Sequence, residues 1–221
     1  QDRFEHLITR FREYTDRIFA RHNMKALGYW APTDGTTRQK RRIVYVLKHP
    51  SRYGAYANWT HFTNDREWQK VLDMPIFRGL LAEKPTSIFM TENEYSEKFV
   101  NAFDQLDGVY ELRTYTCNEG KLAALNARFR DHTTKLFVKH GIKNVSYWTP
   151  FDLPERQNTL IYMIRHENRE QAETNWKTFL NDPEWKRISQ KSQKNGELLE
   201  RPPERIFLKP LDISPNAFPG K

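Results

Sequence analysis

RFREYTDRIFARHNMKALGYWAPTD, residues 10–34, lies over RFRDHTTKLFVKHGIKNVSYWTPFD, residues 128–152, at an offset of 118. One gap later the offset becomes 117. YVLKHPSRYGAYANWTHFTNDREW, residues 45–68, then lies over YMIRHENREQAETNWKTFLNDPEW, residues 162–185. Ten positions between Phe11 and Asp34 and eleven between Tyr45 and Trp68 are identical in the two copies. Unrelated segments would share only a few. A period this long marks a domain rather than a solenoid unit of roughly 20–50 residues. The chain is expected to hold a first domain at 1–100, a second at 108–215 and a C-terminal tail at 216–221.

The second copy can be read element by element. Val109-Tyr-Glu-Leu-Arg-Thr-Tyr115 alternates and is rich in β-formers, which predicts a strand. Leu122, Leu125, Phe129, Thr133, Leu136, Phe137 and His140 recur at helical spacing, and Gly141 ends the helix. Val145–Trp148 reads as a second strand and Thr159–Arg165 as a third, apolar enough to be central. Arg169–Leu180 is helical, with Ala172, Trp176 and Phe179 on one face. Asp182-Pro183-Glu184 starts another helix as an N-cap, a first-position proline and an acidic first turn. Glu204–Leu208 is the last strand. The order β-α-β-β-α-β is the ferredoxin-like plan, so the expected class is α+β with two tandem ferredoxin-like domains.

The first copy opens on its helix. In the ferredoxin-like sheet the leading strand is interior, and without it the fourth strand, here Ser87–Met90, would lose its partner. The expectation is that about a dozen residues like Val109–Gly120 precede Gln1 in the intact protein, and that any targeting segment lies there too.

The chain has 221 residues, 38% hydrophobic and 14% aromatic, enough for packed cores and too many for a disordered chain. No run approaches the roughly 20 apolar residues that span a bilayer, so no membrane span is expected. Cys117 is the only cysteine, which excludes an internal disulfide and a thiolate-rich metal site. The net charge of +8 suits an anionic partner. The basic runs at Arg38–Arg42 and at Arg187, Lys191 and Lys194 nevertheless lack interleaved aromatics or a nucleic-acid motif. They read as solvated faces, and no nucleic acid is expected.

Candidate chemistry rests on residues that occur in both copies. His22 and His140 end the first helix of each copy, where the helix dipole favours an imidazolium; the alternative is a ligand or proton-transfer role. His49 and His166 follow the third strand and are expected to face solvent. Tyr29-Trp30 and Tyr147-Trp148 sit on the second strands, where neighbours point to opposite faces. With Tyr45, Tyr162, Trp59 and Trp176 they supply aromatic walls, either for the core or for a flat, hydrophobic ligand. Arg113 shares a strand face with Glu111 and Tyr115; it either pairs with Glu111 or holds a ligand carboxylate. There is no GxSxG, GxGxxG, P-loop or HExxH motif, and the histidines lack metal-site spacing. No cofactor or metal is evident, although haem on His22 or His140 is a further option.

Four features give the chain a resemblance to the NIPSNAP family. They are Tyr110-Glu-Leu-Arg-Thr-Tyr115 with Gly120, Tyr147-Trp148, Asn181-Asp-Pro-Glu-Trp185 and Pro210-Leu-Asp-Ile-Ser-Pro215. The resemblance covers the second copy and, more loosely, the first, so that the chain looks like a tandem NIPSNAP protein. It implies the dimeric α/β-barrel superfamily, with ferredoxin-like units packed sheet to sheet and pockets between sheet and helices. Fold relatives in that superfamily include cofactor-free monooxygenases, chlorite dismutases and haem-degrading enzymes. Two functions follow as expectations. The first is a small-molecule-binding or interaction module with an aromatic pocket. The second is an oxygenase-like or haem-linked enzyme in the same place. Exposed sheet edges in this superfamily invite pairing between chains, so a homo-oligomer is also expected.

Overall fold

A computed structural model describes residues 2–99 and 107–213. The chain divides into two compact units, one of Gln1–Ser87 with Pro210–Lys221, the other of Ile88–Lys209. The expected tail at 216–221 lies outside the described residues.

In the first unit, Asp2 caps helix α1 (Arg3–Arg10) by accepting from the N–H of Phe4. A π-helical turn at Phe11–Thr15 leads on into α2 (Asp16–Arg21). Strand β1 (Lys25–Pro32) pairs antiparallel with β2 (Val44–Lys48), Tyr29 opposite Tyr45, and the short α3 (Thr37–Lys40) lies between them in sequence. Ser51 caps α4 (Arg52–Thr63) and Asp65 caps α5 (Arg66–Asp73). Phe11, Ile18, Phe19, Tyr29, Phe62, Trp68 and Val71 form the core, and Ile213 joins it from the far end of the chain. Leu211 donates its N–H to Tyr29 O at 2.8 Å, and Arg12 pairs with Asp212 at 2.6 Å.

The second unit begins with β3 (Met90–Glu92) and β4 (Val109–Thr116). Helix α6 (Leu122–Arg128), a second π-helical turn (Phe129–Thr133) and α7 (Thr134–Lys139) follow. Then come β5 (Lys143–Pro150), α8 (Glu155–Asn158), β6 (Thr159–His166), α9 (Arg169–Asn181), α10 (Pro183–Ser192) and β7 (Glu204–Pro210). The strands line up as β7-β4-β6-β5-β3, every neighbour antiparallel. All eight residues of β6 are buried, as its apolar run predicts for a central strand. The helices cover one face, where Tyr115, Leu125, Phe129, Phe137, Tyr147, Tyr162 and Phe179 form the core.

One expected strand is displaced. Ser87–Met90 was assigned to the first copy, yet β3 runs Met90–Glu92 and adds to the edge of β5, with Thr91 opposite Thr149. The residues after it explain the choice. Asn93 N–H donates to Tyr147 O, Ser96 Oγ both accepts from Tyr147 N–H and donates to Tyr147 O, and Tyr95 enters the core 5.1 Å from the Tyr147 ring. An open edge of unpaired backbone groups is thereby satisfied.

Gly108 and Gly120 both adopt positive φ, at 79° and 71°. A Cβ on Gly108 would lie 2.3 Å from His166 O, where β4 meets β6, whereas one on Gly120 meets nothing within 4 Å. Gly120→Ala is expected to cost only the left-handed penalty of about 1–2 kcal/mol. Gly108→Ala should cost clearly more, since backbone must also move. Urea denaturation of the two variants checks the order.

Candidate functional site

The second unit has a half-open cavity of about 590 Å³ on the helix side of its sheet. Arg113 and Tyr115 of β4 line it, with Arg128, Phe129, Thr133 and Phe137 from the helix after β4. Trp176 and Phe179 of α9, Trp185 and Ser189 of α10, and the 197–205 segment complete it.

Strand alternation puts Glu111, Arg113 and Tyr115 on this face. Glu111 is fully buried and receives three donors. Arg113 Nη1 reaches Oε1 at 2.5 Å, while Trp176 Nε1 and His166 Nε2 reach Oε2 at 2.7 and 3.2 Å. Burial pushes the Glu111 carboxyl up. The His166 hydrogen bond, the Arg113 charge and the indole outweigh it and hold the group below its ordinary value. Arg113 also sits over the Trp176 ring at 4.4 Å and the Tyr115 ring at 5.5 Å. The Tyr162 hydroxyl donates to the Tyr115 hydroxyl at 3.0 Å.

His166 corrects an expectation. It is fully buried rather than solvent-facing. Asn175 accepts from Gln171 through Oδ1 and donates Nδ2–H to Gly141 O and towards His166 Nδ1 at 3.3 Å. His166 Nδ1 therefore accepts, and Nε2 carries the hydrogen aimed at Glu111. The counterpart His49 is half-buried, with Asn58 at 3.5 Å, and burial lowers its pKa.

Arg128 reaches the cavity because the helix widens just after it. In the π turn the N–H of Thr134 donates to Phe129 O, and the Thr133 hydroxyl caps Arg128 O at 3.2 Å. Thr15 and Arg10 repeat this at 3.1 Å in the first unit. Arg128 lies over Trp185 at 5.1 Å, as Arg10 lies over Trp68 at 5.3 Å.

The twelve candidate residues separate clearly. Arg113, Tyr115 and Trp176 meet at the cavity, with Tyr162 behind Tyr115. The either-or posed for Arg113 does not arise, since it pairs with Glu111 and lines the cavity as well. Tyr147 is core, its hydroxyl bonded to Asn144 Oδ1, and Trp148 is buried outside that core. In the first unit Tyr29, Tyr45 and Trp59 pack in or against the core, Tyr29 donating to Asp16 at 2.7 Å, while Trp30 is buried outside it. A groove of about 500 Å³ there is lined by Asp16, Lys25, Lys48 and His49 among others and by none of the candidates.

His22 and His140 are locked elsewhere. Their Nε2 atoms meet Asp65 and Asp182 at 2.8 and 2.7 Å, the residues that cap α5 and α10. His140 Nδ1 also meets Thr178 Oγ1 at 3.2 Å. Each histidine ties the end of one helix to the start of another. The Nε2 of each is engaged by a carboxylate, and neither residue lines the 590 Å³ cavity or the 500 Å³ groove.

Sequence reading missed Arg128, Phe129 and Trp185 as cavity residues. The signal was present: Arg10 and Arg128 begin the matched segments, and Arg128 lies three residues from core Leu125.

Residues 110–215 match the NIPSNAP family. This NIPSNAP domain contains every cavity residue from Arg113 to Arg205. The chain is also similar to a crystal structure from Lactobacillus acidophilus NCFM, a protein provisionally assigned as a monooxygenase. The identity is 10%, the TM-score 0.51, and the overlap 94% of this chain and 85% of that one. At that identity the likeness is one of fold, an α+β arrangement of antiparallel strands and helices. No curated protein matches the chain. Among the described residues no helix is long and apolar enough to cross a membrane.

Two outcomes are expected here. His140→Ala should lower stability by about 1.5–3 kcal/mol, the scale of a hydrogen bond to a charged group, and leave cavity binding unchanged; urea unfolding and a ligand titration check both. Burial pushes Tyr110 up to about 12 and Cys117 up to about 11. Both are raised, so their contribution is full below the unfolded values and is lost as pH rises through the folded ones. Tm should fall steadily between about pH 9 and 12, and Cys117→Ala should flatten the lower part of that fall.

Proposed function

We propose that the NIPSNAP domain is a small-molecule-binding module whose ligand sits between sheet and helices. The cavity itself carries the reading. It has the size of a small-molecule site, and six aromatic side chains line it together with polar and charged groups. The strand order β7-β4-β6-β5 with its two helical crossovers supports reading this unit as ferredoxin-like, and the sequence repeat extends the same plan to the first copy. In this reading Arg113, held by Glu111 and lying over Trp176, is a fixed wall rather than a mobile charge. The histidines are structural. No histidine lines the cavity, so a proton-transfer role for one there has no support in the lining.

The alternative is an oxygenase-like enzyme using the same space. It draws on the fold likeness, which does not establish function, and on the Tyr115–Tyr162 hydroxyl pair in the wall.

Titration with the neutral dye N-phenylnaphthylamine tests the binding reading. Fluorescence should rise saturably with the wild-type protein. Ser189→Phe, which fills the cavity from the α10 side, should reduce affinity at least about tenfold. Equal binding by both proteins would place the dye elsewhere and remove the proposal. Ligand-dependent oxygen uptake would favour the enzyme.

A further inference from the structure

The cavity contains two interior guanidinium groups with opposite electrostatic standing. Arg113 has its charge met by Glu111 at 2.5 Å. Arg128 is 7% exposed, and no carboxylate among the described residues lies within ion-pairing distance of it. Its polar contact is one neutral hydroxyl, Ser192 Oγ, which accepts from Nη1 at 3.3 Å. Its Nε is buried and has no hydrogen-bond partner. Trp185 faces it as a ring, not as an anion. Burial lowers its pKa, yet a guanidinium stays charged across the physiological range. A cation in this position is costly unless something completes its shell.

Around it the lining mixes aromatic Phe129, Phe137, Phe179 and Trp185 with the neutral polar groups of Thr133, Ser189 and Gln193, and no carboxylate is among these. At the mouth, Arg201 and Arg205 are mixed with Glu197 and Glu200, so no single sign dominates there. The uncompensated charge is inside, next to the aromatic wall.

We propose that the ligand is an organic monoanion, a small aromatic or unsaturated carboxylate, whose carboxylate docks end-on on the two Nη groups of Arg128 and whose hydrocarbon body lies against Phe129, Phe137 and Trp176. The proposal rests on the reading of the cavity as a ligand site. It assigns the anchor to Arg128 rather than to Arg113, whose charge Glu111 already offsets. A planar guanidinium offers a carboxylate two parallel N–H donors, which a neutral ligand cannot use.

Calorimetric titration with cinnamate and with cinnamyl alcohol, which share a ring and chain, tests it. Wild-type protein should bind cinnamate about tenfold or more tighter than the alcohol, the scale of hydrogen bonds to a charged group. In Arg128→Met the preference for cinnamate over the alcohol should vanish. Arg128→Lys, which keeps the charge and loses the planar pair of donors, should retain part of the preference. It also provides the comparison if the methionine variant misfolds by circular dichroism. Equal wild-type affinities for the two probes would overturn the anion assignment and leave the cavity reading standing. A preference that survives both substitutions would move the anchor off Arg128 and overturn the proposal. No binding of either probe would overturn both readings.

Discussion

The Glu111 carboxylate is the constraint around which the second unit is arranged. It lies on the central part of the sheet with no exposure to water, and a bare carboxylate could not remain ionised there. Three donors from three elements meet it: Arg113 from β4, His166 from the end of β6 and Trp176 from α9. Each donor is itself buried or half-buried. Sheet and helix are therefore registered by a polar knot inside an otherwise aromatic core. Such knots add little net stability compared with apolar packing, but breaking one partner leaves uncompensated charge. Their effect is geometric. The indole of Trp176 is hydrogen-bonded to the carboxylate, and the Arg113 guanidinium lies over it at 4.4 Å.

The second arrangement belongs to the helix. A regular α-helix from Leu122 to Lys139 would rotate the residues after Arg128 by a constant step. The π turn inserts one residue, so Arg128, Phe129 and Thr133 all reach the same space. The freed carbonyl of Arg128 is satisfied by a threonine hydroxyl, and the same residue pair does this in the first unit. Both copies thus keep an arginine over a tryptophan, Arg10 on Trp68 and Arg128 on Trp185.

Much of this was legible in the sequence. Val109–Tyr115 and Thr159–Arg165 read as strands because alternation and an apolar run are direct images of a sheet face, and they match β4 and β6 to within a residue at the C-terminal end. Asp182-Pro183-Glu184 announced α10 because capping chemistry is local. The Arg113–Glu111 pairing followed from their shared face. His166 was misplaced although the alternation of β6 puts it on the face of Tyr162 and Ile164; its end-of-strand position suggested solvent, and α9 covers it. The π turn leaves no mark in an i, i+3, i+4 pattern. The 197–205 segment has no periodicity to read. The partner of β3 was also invisible, because a short strand carries no label for the edge it will join.

That strand has a consequence for how the molecule can be taken apart. The repeat divides the sequence near residue 108, but the folded units do not respect that line. A segment written as the end of the first copy completes the β5 edge of the second unit, and residues written as the end of the second copy, Leu211–Ile213, pack in the first unit's core. Each copy is thus finished by chain that the other copy encodes. A fragment cut at the repeat boundary would carry a bare strand edge and a surplus tail at once. The compact unit Ile88–Lys209 therefore coincides with neither the repeat nor the family match at 110–215.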